Sequence, residues 1–284
     1  SDSGIHLHMV AIDLEVSETG LEEATTLAEN LLVAIVKVDP EAQVIFRVEF
    51  TADRGWDTKY PDAKFRGLDG SLAQPSICDD AFWQDAELHL AQFVRNLLIG
   101  PLKGHAMGVH LERNEWFLSD LDGYDDSHAA QRKFRDWART RYNQDVVALR
   151  ASWFDGSANF ADIDVPQFLP EGADGERFVR SSRRQRRYVD YHLFLSDETV
   201  RRIRSLAYAA KEASNGYFLV GVSYGYTFEW SHPSNGHLAL GKLLRAEEID
   251  YIAGPPSYRN REPGGTGSFP APIDSFALNG KLYV

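Results

Sequence analysis

What most constrains this chain is the alternation of short apolar runs with amphipathic helical stretches. Residues 5–12, 44–50, 105–111, 217–224 and 249–253 are each apolar enough to be strands buried on both faces, and 281–284 begins a sixth. Between the first two, Leu21, Ala24, Ala28, Leu31, Leu32 and Ile35 recur at helical spacing. Thr19 with Glu22 forms a capping box at the start of that helix, and Asp39-Pro40 stops it. Phe82, Ala86, Leu90, Phe93 and Leu97 mark a second helix. A third carries Phe134, Trp137 and Tyr142, with Asp126 or Ser127 as its cap. A fourth covers 196–214, with Val200, Ile203, Ala207 and Ala210 on one face and Asn215-Gly216 closing it, and 237–244 is a short helix. Residues 51–79 read as a long loop and 154–190 as mixed and polar.

Strands alternating with helices predict an α/β fold with a parallel sheet. An open doubly wound sheet would satisfy that pattern too. No Gly-x-Gly-x-x-Gly and no phosphate-binding Gly-x-x-x-x-Gly-Lys-Ser/Thr follows a strand, so a nucleotide fold has no support. Several strands end instead in polar and aromatic clusters, as in a (β/α)8 TIM barrel whose site is built at the C-terminal strand ends. The 284 residues fit a single barrel domain over 1–284, for which ~250 is typical.

The net charge of −12 argues against nucleic acid as a partner, since phosphate affinity comes from clustered Lys and Arg. No apolar run reaches the ~18 residues of a membrane span, and the first residues lack the features of a signal peptide. The single cysteine, Cys78, excludes an internal disulfide and, with the missing signal peptide, favours a cytoplasmic setting slightly. No metal or other cofactor is implied. His6 and His8 lie on one face of a strand, but no third ligand joins them at a clear spacing, so hydrogen bonding is the expectation. Asp122 to Asp126 lacks the spacing of a calcium loop, and the basic run 180–187 reads as a solvated helix start.

The pair Asn114-Glu115 closes the third apolar run and is followed by Trp116-Phe117. A carboxylate held at a strand end, an amide able to bind a hydroxyl and an aromatic able to pack on a sugar ring together suit carbohydrate chemistry. Apolar neighbours would raise the Glu115 pKa, as a general acid requires. Arg47, in a buried strand, needs an anionic partner. Retaining glycoside cleavage needs a second carboxyl ~5–5.5 Å away. Glu49, Glu112, Glu229, Glu262 and Asp274 are candidates by residue type only.

The motifs Asn114-Glu-Trp-Phe117, Phe134-Arg-Asp-Trp137, Leu149-Arg-Ala-Ser-Trp153, Val220-Gly-Val-Ser-Tyr-Gly-Tyr226, Gly236-His-Leu-Ala-Leu240, Ile249-Asp-Tyr251 and Pro255-Pro-Ser-Tyr258 occur in one order along the chain. Together they resemble glycoside hydrolases related to the family 42 β-galactosidases, retaining (β/α)8 enzymes, over most of the length from about Gly4 to Val284. The resemblance implies that Glu115 is the acid/base at the end of the fourth barrel strand, with Asn114 and Arg47 beside it. It also implies that Trp116, Tyr224, Tyr226, His237, Tyr258 and Arg261 line the sugar pocket. Aligned so, the first strand here is the second of such barrels, and residues 281–284 start the seventh, which carries the nucleophile in the family. The chain then reads as a barrel lacking its first strand and closing end, unless the strands are counted one off. Two functions follow as expectations. One is a retaining hydrolase of a β-linked sugar; the other is a non-catalytic carbohydrate-binding or structural barrel piece. The second would self-associate or take its missing strands from a complementing chain.

Overall fold

The structure, a computed structural model, describes residues 4–67, 70–116, 125–166, 185–226, 236–255, 257–258, 260–265, 267, 269 and 271–284. Among these residues, six parallel strands form one sheet in the order of the chain: β1 (Leu7–Glu15), β2 (Gln43–Thr51), β3 (Ala106–Glu112), β4 (Leu219–Ser223), β5 (Tyr251–Ala253) and β6 (Leu282–Tyr283). Helices follow each of the first five: α1 (Glu18–Val38), α2 (Trp56–Lys59), α3 (Asp80–Ile99), α4 (His128–Arg141), α5 (Val146–Trp153), α6 (Arg186–Ala213), α7 (Leu240–Leu244) and α8 (Ile273–Leu278). Sequential order without a reversal is the winding of a (β/α) barrel and not of a doubly wound sheet. The sheet does not close, because β1 and β6 are its two edges.

The helices form where their apolar stripes can cover the outer sheet face. In α1, Leu21, Ala24, Ala28 and Leu32 are buried at three- and four-residue spacing. Its N-cap is Ser17, whose hydroxyl accepts the Gly20 N–H at 3.0 Å, so the helix starts before the expected capping box at Thr19. Ser127 caps α4, accepting from Ala130 N. The α4 stripe ends at Arg141, because Asn143 and Gln144 take φ of 51° and 61° and Asp145 then caps a separate helix, α5. The fourth expected helix begins ten residues early, at Arg186. Tyr191 and Phe194 in that first part pack edge-on and tilted against Phe134 of α4, an aromatic cluster that local periodicity could not reveal. The loop between β2 and α3 contains α2 and a 3₁₀ turn at Pro61–Ala63.

Burial on both faces holds for β3, but on β1 the inner residues Leu7, Met9, Ala11 and Asp13 are exposed. At the other margin Leu282 and Val284 are exposed as well. Both outer strands thus leave inner-face apolar side chains uncovered, where a closed barrel would bury them. His6 and His8 turn to one carboxylate, Asp39 at the C-cap of α1, at 2.9 and 3.3 Å. Among the described residues no group of three or more His, Cys, Asp or Glu could hold a metal, and no helix is long and apolar enough to cross a membrane. Arg186 of the basic run starts α6 and pairs with the buried Asp190 at 3.0 Å; residues 180–184 of that run lie outside the described residues.

Candidate active site

Parallel register builds the site in layers on the inner face. Arg47 of β2 pairs with His110 of β3, which pairs with Gly221 of β4, which pairs with Tyr251 of β5. One layer nearer the C-terminal ends, Asp13, Glu49 and Glu112 are aligned across β1, β2 and β3. Strands β2 and β3 therefore carry the same pattern, a basic residue and, two positions on, a glutamate. Period-two geometry puts both on one face.

Glu112 is the centre of the second layer and is fully buried. Its Oε1 accepts from His110 Nε2 at 3.0 Å and Ser223 Oγ at 2.6 Å, with Arg47 Nε at 3.5 Å. Its Oε2 accepts the Glu115 N–H at 2.9 Å. Burial pushes the Glu112 carboxyl up, but the hydrogen bonds from His110 and Ser223 and the charge of Arg47 outweigh it, so the group is held below the usual carboxylate range. Tyr251 reaches across β4 to place its hydroxyl 3.1 Å from His110 Nδ1. It can do so because position 221 is glycine: a Cβ there would sit 1.9 Å from the Tyr251 ring.

Glu115 is not on the strand, as the sequence predicts, but three residues past its end. β3 stops at Glu112, and Asn114, Glu115 and Trp116 follow with φ of 47°, 53° and 59°. Three consecutive non-glycine residues in the left-handed region are costly, about 1–2 kcal/mol each. The turn is held from all sides. Asn114 N donates to Glu49 Oε1 at 2.8 Å, Trp116 N to Arg113 O at 2.7 Å, and His237 Nε2 to the Glu115 carbonyl at 3.0 Å. The Glu115 side chain is half-buried. Burial first, and the negative charge of Glu112 second, raise its carboxyl above the usual range, against the opposing pull of Arg47 and His110. Glu49 is raised too, by burial and by Glu112, despite the Asn114 N–H. The two glutamates three apart are thus driven in opposite directions, the pattern that separates a proton donor from an ionised neighbour.

The other expected site residues fall into three groups. Arg47, Asn114, Tyr226 and His237 are brought to Glu115. Tyr226 hydrogen-bonds Ser223 and feels the charge of Glu115, which together with burial keeps its phenol protonated. His237 is buried; its Nδ1 accepts the N–H groups of Gly225 and Tyr226 at 3.2 and 3.3 Å, and burial lowers its pKa to about 4. Trp116 and Tyr224, expected to line a sugar pocket, are buried with their polar atoms engaged inside the protein. Trp116 is in the core against Trp83, with its indole N–H donated to Leu111 O at 3.0 Å. Tyr224 is wholly buried, stacked on His237 at 4.3 Å with its hydroxyl donated to Gly236 O. Tyr258 and Arg261 form the third group, with the guanidinium 4.1 Å from the ring centroid and Tyr258 exposed. Of the candidate partner carboxylates, Glu49 and Glu112 are at the site, Glu262 and Asp274 are exposed, and Glu229 and the aromatic Phe117 lie outside the described residues. The sequence reading missed His110, Ser223 and Tyr251. The shared spacing of Arg47-x-Glu49 and His110-x-Glu112 was the available signal for His110.

Fold and site together define an open parallel (β/α) barrel of TIM type with a carboxylate cluster at the C-terminal strand ends. Solved structures of the same fold include glycoside hydrolases. They include a cold-adapted β-galactosidase from Rahnella sp. R3 (TM-score 0.62, 17% identity, 89% of this chain and 35% of that chain). A catalytic mutant of Gan42B, a GH42 β-galactosidase from G. stearothermophilus, is similar over 96% of this chain and 38% of its own (TM-score 0.63, 14% identity). The catalytic domain of a Paenibacillus polymyxa β-amylase aligns over 98% of this chain and 76% of its own (TM-score 0.68, 11% identity). The chain therefore spans just over a third of the length of these β-galactosidases. At such identities the likeness establishes the (β/α) barrel fold. Neither a family model nor a curated protein matches the sequence.

Proposed function

We propose that this chain carries the proton-donating half of a retaining glycosidase acting on a β-linked sugar, a galactoside in the first instance, with Glu115 as general acid/base. The observation that carries the reading is the opposed electrostatics of Glu115 and Glu112, which favours a protonated Glu115 beside an ionised neighbour. In this reading Asn114 and Arg47 bind sugar hydroxyls around it. Glu112 is a poor nucleophile, since both its oxygens are already engaged. The attacking carboxylate in this reading comes from polypeptide seated between β6 and β1. Cleavage of phenyl β-galactoside by the chain with azide supplied in place of the attacking carboxylate, compared with Glu115→Gln under the same conditions, tests the assignment. Loss of turnover in the variant is expected, and equal rates in both would remove Glu115 from the mechanism.

A second reading is favoured by the uncovered inner faces of β1 and β6. The chain alone would be a carbohydrate-binding or structural barrel piece that associates through these edges, with itself or with a complementing chain, and does not turn sugar over. It predicts galactoside binding by calorimetry without hydrolysis, and association in sedimentation. A clean monomer that hydrolyses the substrate would reject it.

A further inference from the structure

The left-handed turn bearing Glu115 has an unusual support. Successive backbone N–H groups in such a turn form a concavity that attracts anions. Here it is filled from within the protein: Glu49 accepts from Asn114 N and Glu112 from Glu115 N. Strained backbone of this kind persists only where its surroundings over-determine it. Glu112 is the more firmly set of the two, because His110, Ser223 and Arg47 lock its other oxygen, and Tyr251 in turn meets His110 across Gly221.

We propose that Glu112 is the positioning residue of this site: a locked carboxylate that anchors the Glu115 turn through its backbone N–H and sets a fixed negative charge beside the Glu115 carboxyl. The inference rests on the reading of Glu115 as proton donor and extends it to the residue that prepares the donor. The groups that bear on Glu115 are Glu112 and His110 from β3, Arg47 from β2, Tyr226 after β4 and His237 before α7. Arg47 and His110 act against retention of the proton, and His237, neutral above about pH 4, holds the carbonyl. Glu112 is the group among them whose charge favours it. Glu49 supports the turn at Asn114 and is itself raised, so it adds grip more than charge.

Two substitutions separate grip from charge. Glu112→Gln keeps an oxygen for the Glu115 N–H and turns its amide NH₂ toward Ser223 Oγ and His110 Nε2, each of which can accept. Glu112→Ala removes both functions. The assay is a pH titration of the Glu115 carboxyl by ¹³C NMR in the full chain, assigned with Glu115→Gln, together with hydrogen exchange at the Glu115 amide. Wild type should titrate above the ordinary glutamate range. Glu112→Gln should shift that titration downward while amide protection holds within a few-fold. Glu112→Ala should lose amide protection by roughly 10-fold or more, as expected for a hydrogen bond to a charged group. An unchanged Glu115 titration in Glu112→Gln would overturn the proposal, and so would a wild-type Glu115 that titrates normally. Neither result depends on turnover, whereas hydrolysis surviving Glu115→Gln would remove the acid assignment itself. If Glu112→Ala does not fold, the Gln variant decides alone.

Discussion

Replacing Gly221 by alanine probes the crossing on which the inner face depends. An added Cβ would lie 1.9–2.3 Å from three atoms of the Tyr251 ring, a distance no side chain tolerates, so the ring must leave its place over β4. Tyr251 is nearly fully buried, and its hydroxyl meets His110 Nδ1 at 3.1 Å. Overpacking of this kind costs about 1–3 kcal/mol, and the lost buried hydrogen bond adds about 1 kcal/mol. Alanine's better backbone entropy returns about 0.5 kcal/mol. The expected loss for Gly221→Ala is therefore about 1.5–3.5 kcal/mol, a large fraction of the stability of an ordinary domain. Tyr251→Ala alone should cost about 3–5 kcal/mol, as for other large buried side chains. The decisive comparison is the double variant. With the ring gone, the Cβ has room, so Gly221→Ala/Tyr251→Ala should be no less stable than Tyr251→Ala alone, and the coupling should equal nearly the whole cost of the glycine change. Urea unfolding of the four proteins measures this. Additive costs would refute the claim that Gly221 is there for Tyr251.

His237 should make stability depend on pH. Its folded pKa lies below the unfolded value, so its contribution is complete above about pH 6.5 and is lost as pH falls from 6.5 to about 4. At about 1.4 kcal/mol per pH unit, that is about 3 kcal/mol. His237→Gln should flatten the urea midpoint across that window, and an unaltered slope would contradict the burial argument. Trp116→Phe should lower stability by about 1–3 kcal/mol through the lost core volume and indole hydrogen bond. On the proposed function, galactoside binding measured by calorimetry should hold wherever the fold survives, since the indole packs against Trp83 in the core. Ser17→Ala should cost about 1 kcal/mol by leaving the Gly20 N–H uncapped, measured by thermal unfolding. Leu7→Lys with Leu282→Lys should reduce any association seen in sedimentation while leaving the circular dichroism unchanged. Association that persists would place the contact elsewhere than the sheet margins.

Much of the architecture was legible because it is local. Apolar runs of strand length and stripes such as Leu21, Ala24, Ala28 and Leu32 need only periodicity to be read, and their alternation implies a parallel sheet. The amides and aromatics around Glu115 were legible as a motif, and Arg47 in a buried strand demanded an anion before Glu112 was known to be its partner. What periodicity could not supply was register. Only the pairing of β2 with β3 brings Arg47 to Glu112, and only the absence of a side chain at Gly221 lets Tyr251 touch His110 from two strands away. The same holds for direction. Trp116 and Tyr224 carry the residue types of a sugar pocket, yet three left-handed residues turn Trp116 into the core, and Tyr224 is buried against His237. Residue type and spacing determine which groups a chain can bring to a strand end. The tertiary structure decides which of them face the cleft, because that depends on contacts between strands far apart in sequence and on backbone angles that no pattern of residues announces.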